Sequence, residues 1–335
     1  MRSKTLRLML LLLLSLFAYP QKNQAPLLPG DYLGQRVPGS AAELFAPGIV
    51  STGNHELGIT VSPDLDEIYF TRSGQDWFSS VICYQRVDGI WQEPEVPSFV
   101  NENGANYPFI TPDGKKIFFE MKGKTPGSDQ AVEQVAVVER TKNGWTTPKT
   151  VHDNSADYRL MFVSVSQKGT LYFSANRKDG LGGFDIYRSE IAPDGSLHPE
   201  NLGPAVNSEA NEFHAFIAAD ESYLIFDSQN RPGGYGRNDL YISFRKEDGT
   251  WTKAENMGAE VNTDAGDMRP YVSPDGKCLF FCSDRANPRI GASGREMDYR
   301  SFMDRINGPG NLNQDIYWMD ARIIATLKNR ILKQQ

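Results

Sequence analysis

Five stretches of the chain share one pattern, a turn rich in Pro, Asp or Gly followed by a short apolar run. They are SPDLDEIYF ending at Phe70, TPDGKKIFF at Phe119, SQKGTLYF at Phe173, AADESYLIF at Phe226 and SPDGKCLFF at Phe281, spaced by 49, 54, 53 and 55 residues. The turn residues supply a tight reversal, and the β-branched and aromatic residues after it suit a buried pleated surface, so each unit predicts a hairpin. A third apolar element follows as DIY at 185–187, DLY at 239–241 and DIY at 315–317, with SSVICY and EQVAVV in the first two units. A fourth begins at Trp91, Trp145, Leu197 and Trp251, each after a Gly-containing turn.

The repeats therefore predict an all-β fold, a five-bladed β-propeller of four-stranded antiparallel blades. The last unit lacks a fourth strand downstream. The stretch LFAPGIV, Leu44 to Val50, has no hairpin before it and resembles the fourth-strand segments WQEP and WTTP in placing Pro three residues after a large apolar one. An N-terminal strand completing the last blade closes the ring and removes its free sheet edges. Six blades, the alternative, need a further repeat, and the irregular interval from Arg285 to Gln314 reads better as a loop between the second and third strands of blade five. Apolar residues at helical spacing reappear only at Ile323, Ile324, Leu327, Ile331 and Leu332, beside basic residues. They predict a helix docked on one face of the ring, with a partner-binding or membrane-surface helix as the alternative.

The SPDG turn before an apolar strand, together with GGFDIY at 182–187 and GGYGRNDLY at 233–241, resembles the TolB-like (WD40-like) propeller repeat over about residues 43–321. That resemblance implies an exported bacterial propeller serving as a binding or interaction platform. Blades one and two depart from it in lacking the DIY Asp, and TolB itself has six blades.

The N-terminus changes the picture from fold to compartment. Arg2, Lys4 and Arg7 precede an apolar run from Leu8 to Phe17, the pattern of a secretory signal peptide and too short for a membrane-spanning helix, which takes about 20 residues. The expected layout is a signal peptide at 1–18, a linker at 19–42, the propeller at 43–321 and a C-terminal helix at 322–335, with a periplasmic or extracellular destination and no transmembrane segment after cleavage. Removing the three basic residues takes the formal charge from −7 to −10, which argues against a nucleic-acid partner. Three cysteines do not make a disulfide framework. Cys278 and Cys282 are about 13 Å apart along one strand, too far to bridge, so buried thiols are expected, with a bridge from Cys83 left open.

Catalytic motifs are missing: GASG at 291–294 is the nearest string to a nucleophile elbow, and no HExxH, EF-hand or Walker pattern occurs. No metal or cofactor is expected. Candidates come instead from positions matched across blades. Eight and six residues before the reference turn position, blade four has Glu212 and His214, blade five Asp267 and Arg269, and blade one Glu56 and Gly58, whereas blades two and three have Ala105 with Tyr107 and Leu160 with Phe162. The inner strands border the central channel, so a polar sector is expected to face an aromatic one. Its carboxylates beside Arg269 and His214 suit acid–base chemistry, and Tyr107 and Phe162 suit stacking on a sugar-like ligand. The alternative is an interblade pair between Arg269 and one of the acids.

His55 and Asn106 fall near the channel mouth, His152 and His198 in surface connections. Asp185, Asp239 and Asp315 read as caps of their own turns or, less simply, as cation ligands. Trp91, Trp145 and Trp251 read as packing residues. Two functions compete: a non-enzymatic exported propeller binding a protein, peptide or glycan, and a carbohydrate-active hydrolase using Glu56, Glu212 and Asp267.

Overall fold

The computed structural model describes residues 28–124, 131–151, 159–192, 195–286 and 298–333. The signal-peptide stretch, His152 and the GASG string lie outside them.

Five antiparallel sheets form the ring. Blade one runs through His55–Val61, Glu67–Ser73, Ser79–Val87 and Ile90–Trp91; blade four through Asn211–Ile217, Tyr223–Gln229, Asn238–Phe244 and Glu255–Asn256. Blades two and three repeat the plan, with inner strands Asn106–Ile110 and Leu160–Val165. Blade five takes Asp267–Val272, Cys278–Ser283 and Asp315–Asp320 from the end of the chain and Glu43–Leu44 from its beginning. There Glu43 pairs with Trp318 and Leu44 with Tyr317, and the Phe45 amide donates to the Ile316 carbonyl at 2.8 Å. Ring closure is therefore as the count of strands required. The closing strand is only two residues long, and burial of Phe45 and Val50, both 0% exposed, anchors the remainder of LFAPGIV.

Second and third strands carry the core. Tyr69, Phe119, Phe173, Phe226 and Phe281 are almost fully buried between neighbouring sheets, and each such side chain contributes on the order of 1.5–3 kcal/mol. The fourth strands advance in two steps, first at Trp91 and Trp145, then after the proline at Glu95 and Lys149. Arg86, Arg140 and Arg245 of the third strands lie over Trp91, Trp145 and Trp251, making these tryptophans packing residues. The three cysteines are free and buried, without a bridge.

The turn aspartates act as caps. Asp185 accepts from the Leu181 and Gly182 amides, Asp239 from Tyr235 and Gly236, Asp315 from Gly310. Glycine is required in these loops because a Cβ at Gly182 or Gly236 would sit 1.9 Å from the Ala210 or Ala265 carbonyl oxygen of the next blade's connector.

The two faces of the ring differ. On the hairpin-turn face, the Tyr32 hydroxyl donates to Asp275 at 2.7 Å, Leu33 is buried beside it, and Trp91 Nε1 donates to the Gly30 carbonyl. Where the sequence suggests a linker, these residues instead seal the core, because Tyr32 meets Phe280 and Trp318. The helix Arg322–Leu332 buries Ile324, Leu327 and Ile331 in the main core cluster, and the Ala321 amide at its start donates to the Lys277 carbonyl of the same face. The opposite face carries the connections between second and third strands. In blade five this connection holds a helix, Tyr299–Asn307, capped by the Asp298 carboxylate on the Ser301 amide. The pattern did not predict it, since none of its residues is buried and no apolar stripe is anchored in the core.

Candidate functional site

The inner strands share a local distortion. Gly58, Tyr107, Phe162, His214 and Arg269, the residues six before the turn position, all have left-handed backbone, with φ of 52°, 51°, 56°, 46° and 56°. The register of each inner strand shifts there. Only glycine takes this conformation freely, and each other residue costs about 1–3 kcal/mol. The preceding blade holds the bulge: the Tyr107 amide donates to Thr71 Oγ1 at 2.8 Å, Phe162 to Glu120 Oε1 at 2.9 Å, Arg269 to Asp227 Oδ1 at 3.1 Å and Gly58 to Cys282 Sγ at 3.2 Å. These acceptors all occupy the position after the strand-two phenylalanine.

The bulges turn the five residues into the channel, where they line a cavity of about 60 Å³. Phe162 lies 3.7 Å from His214 and 4.9 Å from Tyr107, centroid to centroid, and the Arg269 guanidinium lies 5.2 Å over the Tyr107 ring. Phe109, Phe216 and Tyr271 lie beneath and are nearly inaccessible, while the five ring residues keep partial exposure. The cavity is thus floored toward the hairpin turns and opens on the face that begins at His55. At that mouth His55 stacks on Trp77 at 4.6 Å and accepts from the Gln314 amide.

His214 and Asp227 form a buried pair, Nδ1 to Oδ1 at 2.7 Å, and Asp227 Oδ2 accepts from Asn238 Nδ2 at 3.0 Å. Burial holds the His214 pKa below its ordinary value, and the pairing with His214, the hydrogen bond from the Arg269 main chain and the Arg269 charge hold that of Asp227 down despite burial. Neutral imidazole with its proton on Nδ1 fits this pairing, leaving Nε2 as an acceptor that is buried and unpartnered among the described residues. Glu120 is pushed up to about 7 by burial.

Tyr107, Phe162, His214 and Arg269 thus meet in the channel as the matched positions suggest. Glu56, Glu212 and Asp267 do not join them. Each is 0% exposed and closes a connector. Glu56 accepts from the Thr52 amide and hydroxyl at 2.9 and 2.6 Å, Glu212 from those of Ser208 at 2.9 and 2.5 Å, Asp267 from those of Thr263 at 2.6 and 2.9 Å. Each also pairs with an arginine of its own blade: Arg72 at 3.0 Å, Arg231 at 3.5 Å and Arg285 at 2.5 Å. Those arginines in turn donate to the carbonyls of Val50, Val206 and Val261. The expected partnership of Arg269 with one of these acids is replaced by these three, because side chains two residues apart across a bulge diverge. The polar sector is a seam module, Val-x-Ser/Thr-x-x-x-Glu/Asp plus arginine. Asp227, Glu120, Gln314 and Trp77 were not singled out from the sequence. Aligning the residue after Phe70, Phe119, Phe173, Phe226 and Phe281 would have marked the first two.

No family model matches the chain, and no curated protein matches it. Solved structures of the same architecture do. They include an alpha-L-arabinofuranosidase from Lactobacillus brevis (14% identity, 82% of this chain and 92% of that one, TM-score 0.50) and a glycoside hydrolase (9%, 87% and 93%, TM-score 0.50). A TolB candidate from Agrobacterium tumefaciens is similar over 80% of this chain and 90% of that one, at 16% identity and TM-score 0.47. Likeness at this level shows the propeller and leaves the function open.

Proposed function

We propose that the chain is an exported, non-enzymatic β-propeller that binds a protein, peptide or glycan on the face where the channel opens. The observation that carries this reading is the contrast between the faces. On one, the segment around Tyr32 and the C-terminal helix pack over the hairpin turns of blades five and one and bury their apolar residues in the core. On the other, Trp77 (67% exposed) stacks on His55 at the channel mouth, and Tyr235 (53%), Tyr299 (78%), Phe78 and Leu312 stand exposed in the connections between second and third strands. Large exposed apolar side chains on the face where a channel opens mark a recognition surface. A TolB-like platform role accords with this, as does the apolar run at Leu8 to Phe17 with an exported destination.

The hydrolase reading needs two carboxyl groups flanking a scissile bond about 5–9.5 Å apart in an accessible site. Glu56, Glu212 and Asp267 are committed to the seams, which favours binding over hydrolysis. Glycan-array and peptide-array binding, compared between wild type and Trp77→Ala, tests the proposal, and retention lost in the variant is the expected result. Turnover of chromogenic arabinosides or related glycosides that disappears in Glu212→Gln would overturn it. Export is checked by fusing residues 1–42 to a reporter active only outside the cytoplasm, and an inactive fusion would remove that part.

A further inference from the structure

Arg269 differs sharply from the three seam arginines. Arg72, Arg231 and Arg285 each pair with a buried acid. Arg269 has no carboxylate partner among the described residues. Its Nη1 donates to Gln314 Oε1 at 2.7 Å and its Nη2 to the Tyr107 hydroxyl at 3.3 Å, both neutral acceptors, and its Nε is buried without a partner. The acids that feel its charge are engaged elsewhere: Asp227 with His214, Asn238 and the Arg269 main-chain amide, Glu120 with the Phe162 amide. The positive charge also reaches the neighbouring imidazoles, since Arg269 contributes to lowering the pKa of both His55 and His214. A half-buried guanidinium whose side-chain hydrogen bonds all go to neutral acceptors, with the nearby Asp227 carboxylate already engaged by His214 and Asn238, keeps the capacity to take a further anion.

We propose that the channel cavity is a receptor for a carboxylate group carrying a hydrogen-bond donor on a neighbouring atom. This rests on the binding reading above and names its ligand chemistry. The carboxylate takes the remaining Arg269 Nη N–H groups, since Gln314 and Tyr107 occupy only one on each nitrogen, and the Tyr107 hydroxyl proton, which the arginine leaves free because it uses only the oxygen lone pair. The neighbouring donor meets His214 Nε2, an acceptor enclosed in the free chain against the Phe162 ring that the ligand displaces on entry, and whose acceptor state is set by Asp227 through Nδ1. Phe162 and Tyr107 flank the ligand with ring faces and edges. A cavity of about 60 Å³ holds more than one water, hence a carboxylate head, with the rest of the ligand lying toward His55 and Trp77. Uronic acids, with a carboxylate near ring hydroxyls, and peptide C-termini, with a carboxylate near an amide N–H, share this chemistry.

Calorimetric titration of the full chain with D-galacturonate against D-galactose, and with Gly-Gly-Phe against its C-terminal amide, tests the proposal and tells the sources apart. One charged probe should bind at least tenfold more tightly than its neutral counterpart. Arg269→Gly should weaken it at least tenfold. That variant suits the left-handed backbone at φ 56°, the conformation that Gly58 occupies in blade one, so the fold is expected to survive. Tyr107→Phe, which preserves packing, should weaken binding severalfold. Equal binding of charged and neutral probes, no binding of either charged probe at about 10 mM, or unchanged affinity in Arg269→Gly overturns it. None of these results touches the Trp77 array measurement, so the face-binding reading stands or falls separately.

Discussion

Two rings of side chains, only two residues apart on the same inner strands, are built on opposite logic. In the seams, Glu56, Glu212 and Asp267 are inaccessible and their oxygens are met by a connector amide, a hydroxyl and an arginine. In the channel ring, the Arg269 guanidinium pairs with no carboxylate among the described residues, His214 Nε2 and Arg269 Nε lack partners among them, and four non-glycine residues sit in strained backbone. A satisfied network fixes how one blade meets the next, and an unsatisfied one retains interaction capacity for something outside the chain. The bulge separates the two by turning one residue outward to the axis while its neighbour stays within the seam.

Breaking a seam should have the largest effect. Glu212→Ala leaves Arg231 without its acid and two connector donors without an acceptor, and is expected to cost about 3–5 kcal/mol in urea unfolding, against about 1–2 for Glu212→Gln. A loss below 1 kcal/mol would erase the distinction between the rings.

The next effect concerns the seam where the ring closes. Asp315 lies beside Glu56 and is pushed up to about 8 by burial, with Glu56 adding to the shift, and Glu56 is itself raised by burial. An acid whose folded pKa exceeds its unfolded value stays protonated in the fold while the unfolded chain releases its proton, so its stabilisation is complete below about pH 4 and is lost as pH rises toward 8. Stability should therefore decline between pH 5 and 8. Asp315→Asn should flatten that decline and raise the melting temperature at pH 8 by a few degrees, about 1 kcal/mol or more. A decline identical in wild type and variant would show that the carboxyl pair plays no part.

Removing the channel charge should be nearly neutral. Arg269→Gly relieves left-handed strain and the desolvation of a cation but loses the contacts with Tyr107 and Gln314 and the attraction of Asp227, so unfolding free energy should change by less than about 1.5 kcal/mol. A loss comparable with Glu212→Ala would place Arg269 among the structural residues. Smallest of all, Trp77→Ala on the open face should stay within about 0.5 kcal/mol, whatever it does to ligand capture.

Much of this architecture was legible in the chain because each cue is local and repeated. The Asp-Gly turns and apolar runs specify hairpins, the period specifies blades, and the missing fourth strand together with LFAPGIV specifies closure. The capping aspartates and stacked tryptophans follow from the same in-register repetition. The matched positions also marked Tyr107, Phe162, His214 and Arg269. They did not separate these from Glu56, Glu212 and Asp267, because a period-two strand pattern puts residues two apart on one side and nothing in the pattern announces a bulge.

The sequence by itself determined the repeat, the blade count and the strand that closes the ring, since turn chemistry and apolar patterning act over a few residues. Only the tertiary structure decided which acid meets which arginine, that residues around Tyr32 pack on the hairpin-turn face, and that Arg269 bonds neutral groups and no carboxylate among the described residues. Those outcomes depend on left-handed bulges held by side chains of the preceding blade, contacts between residues some 35 to 225 positions apart that no local pattern encodes.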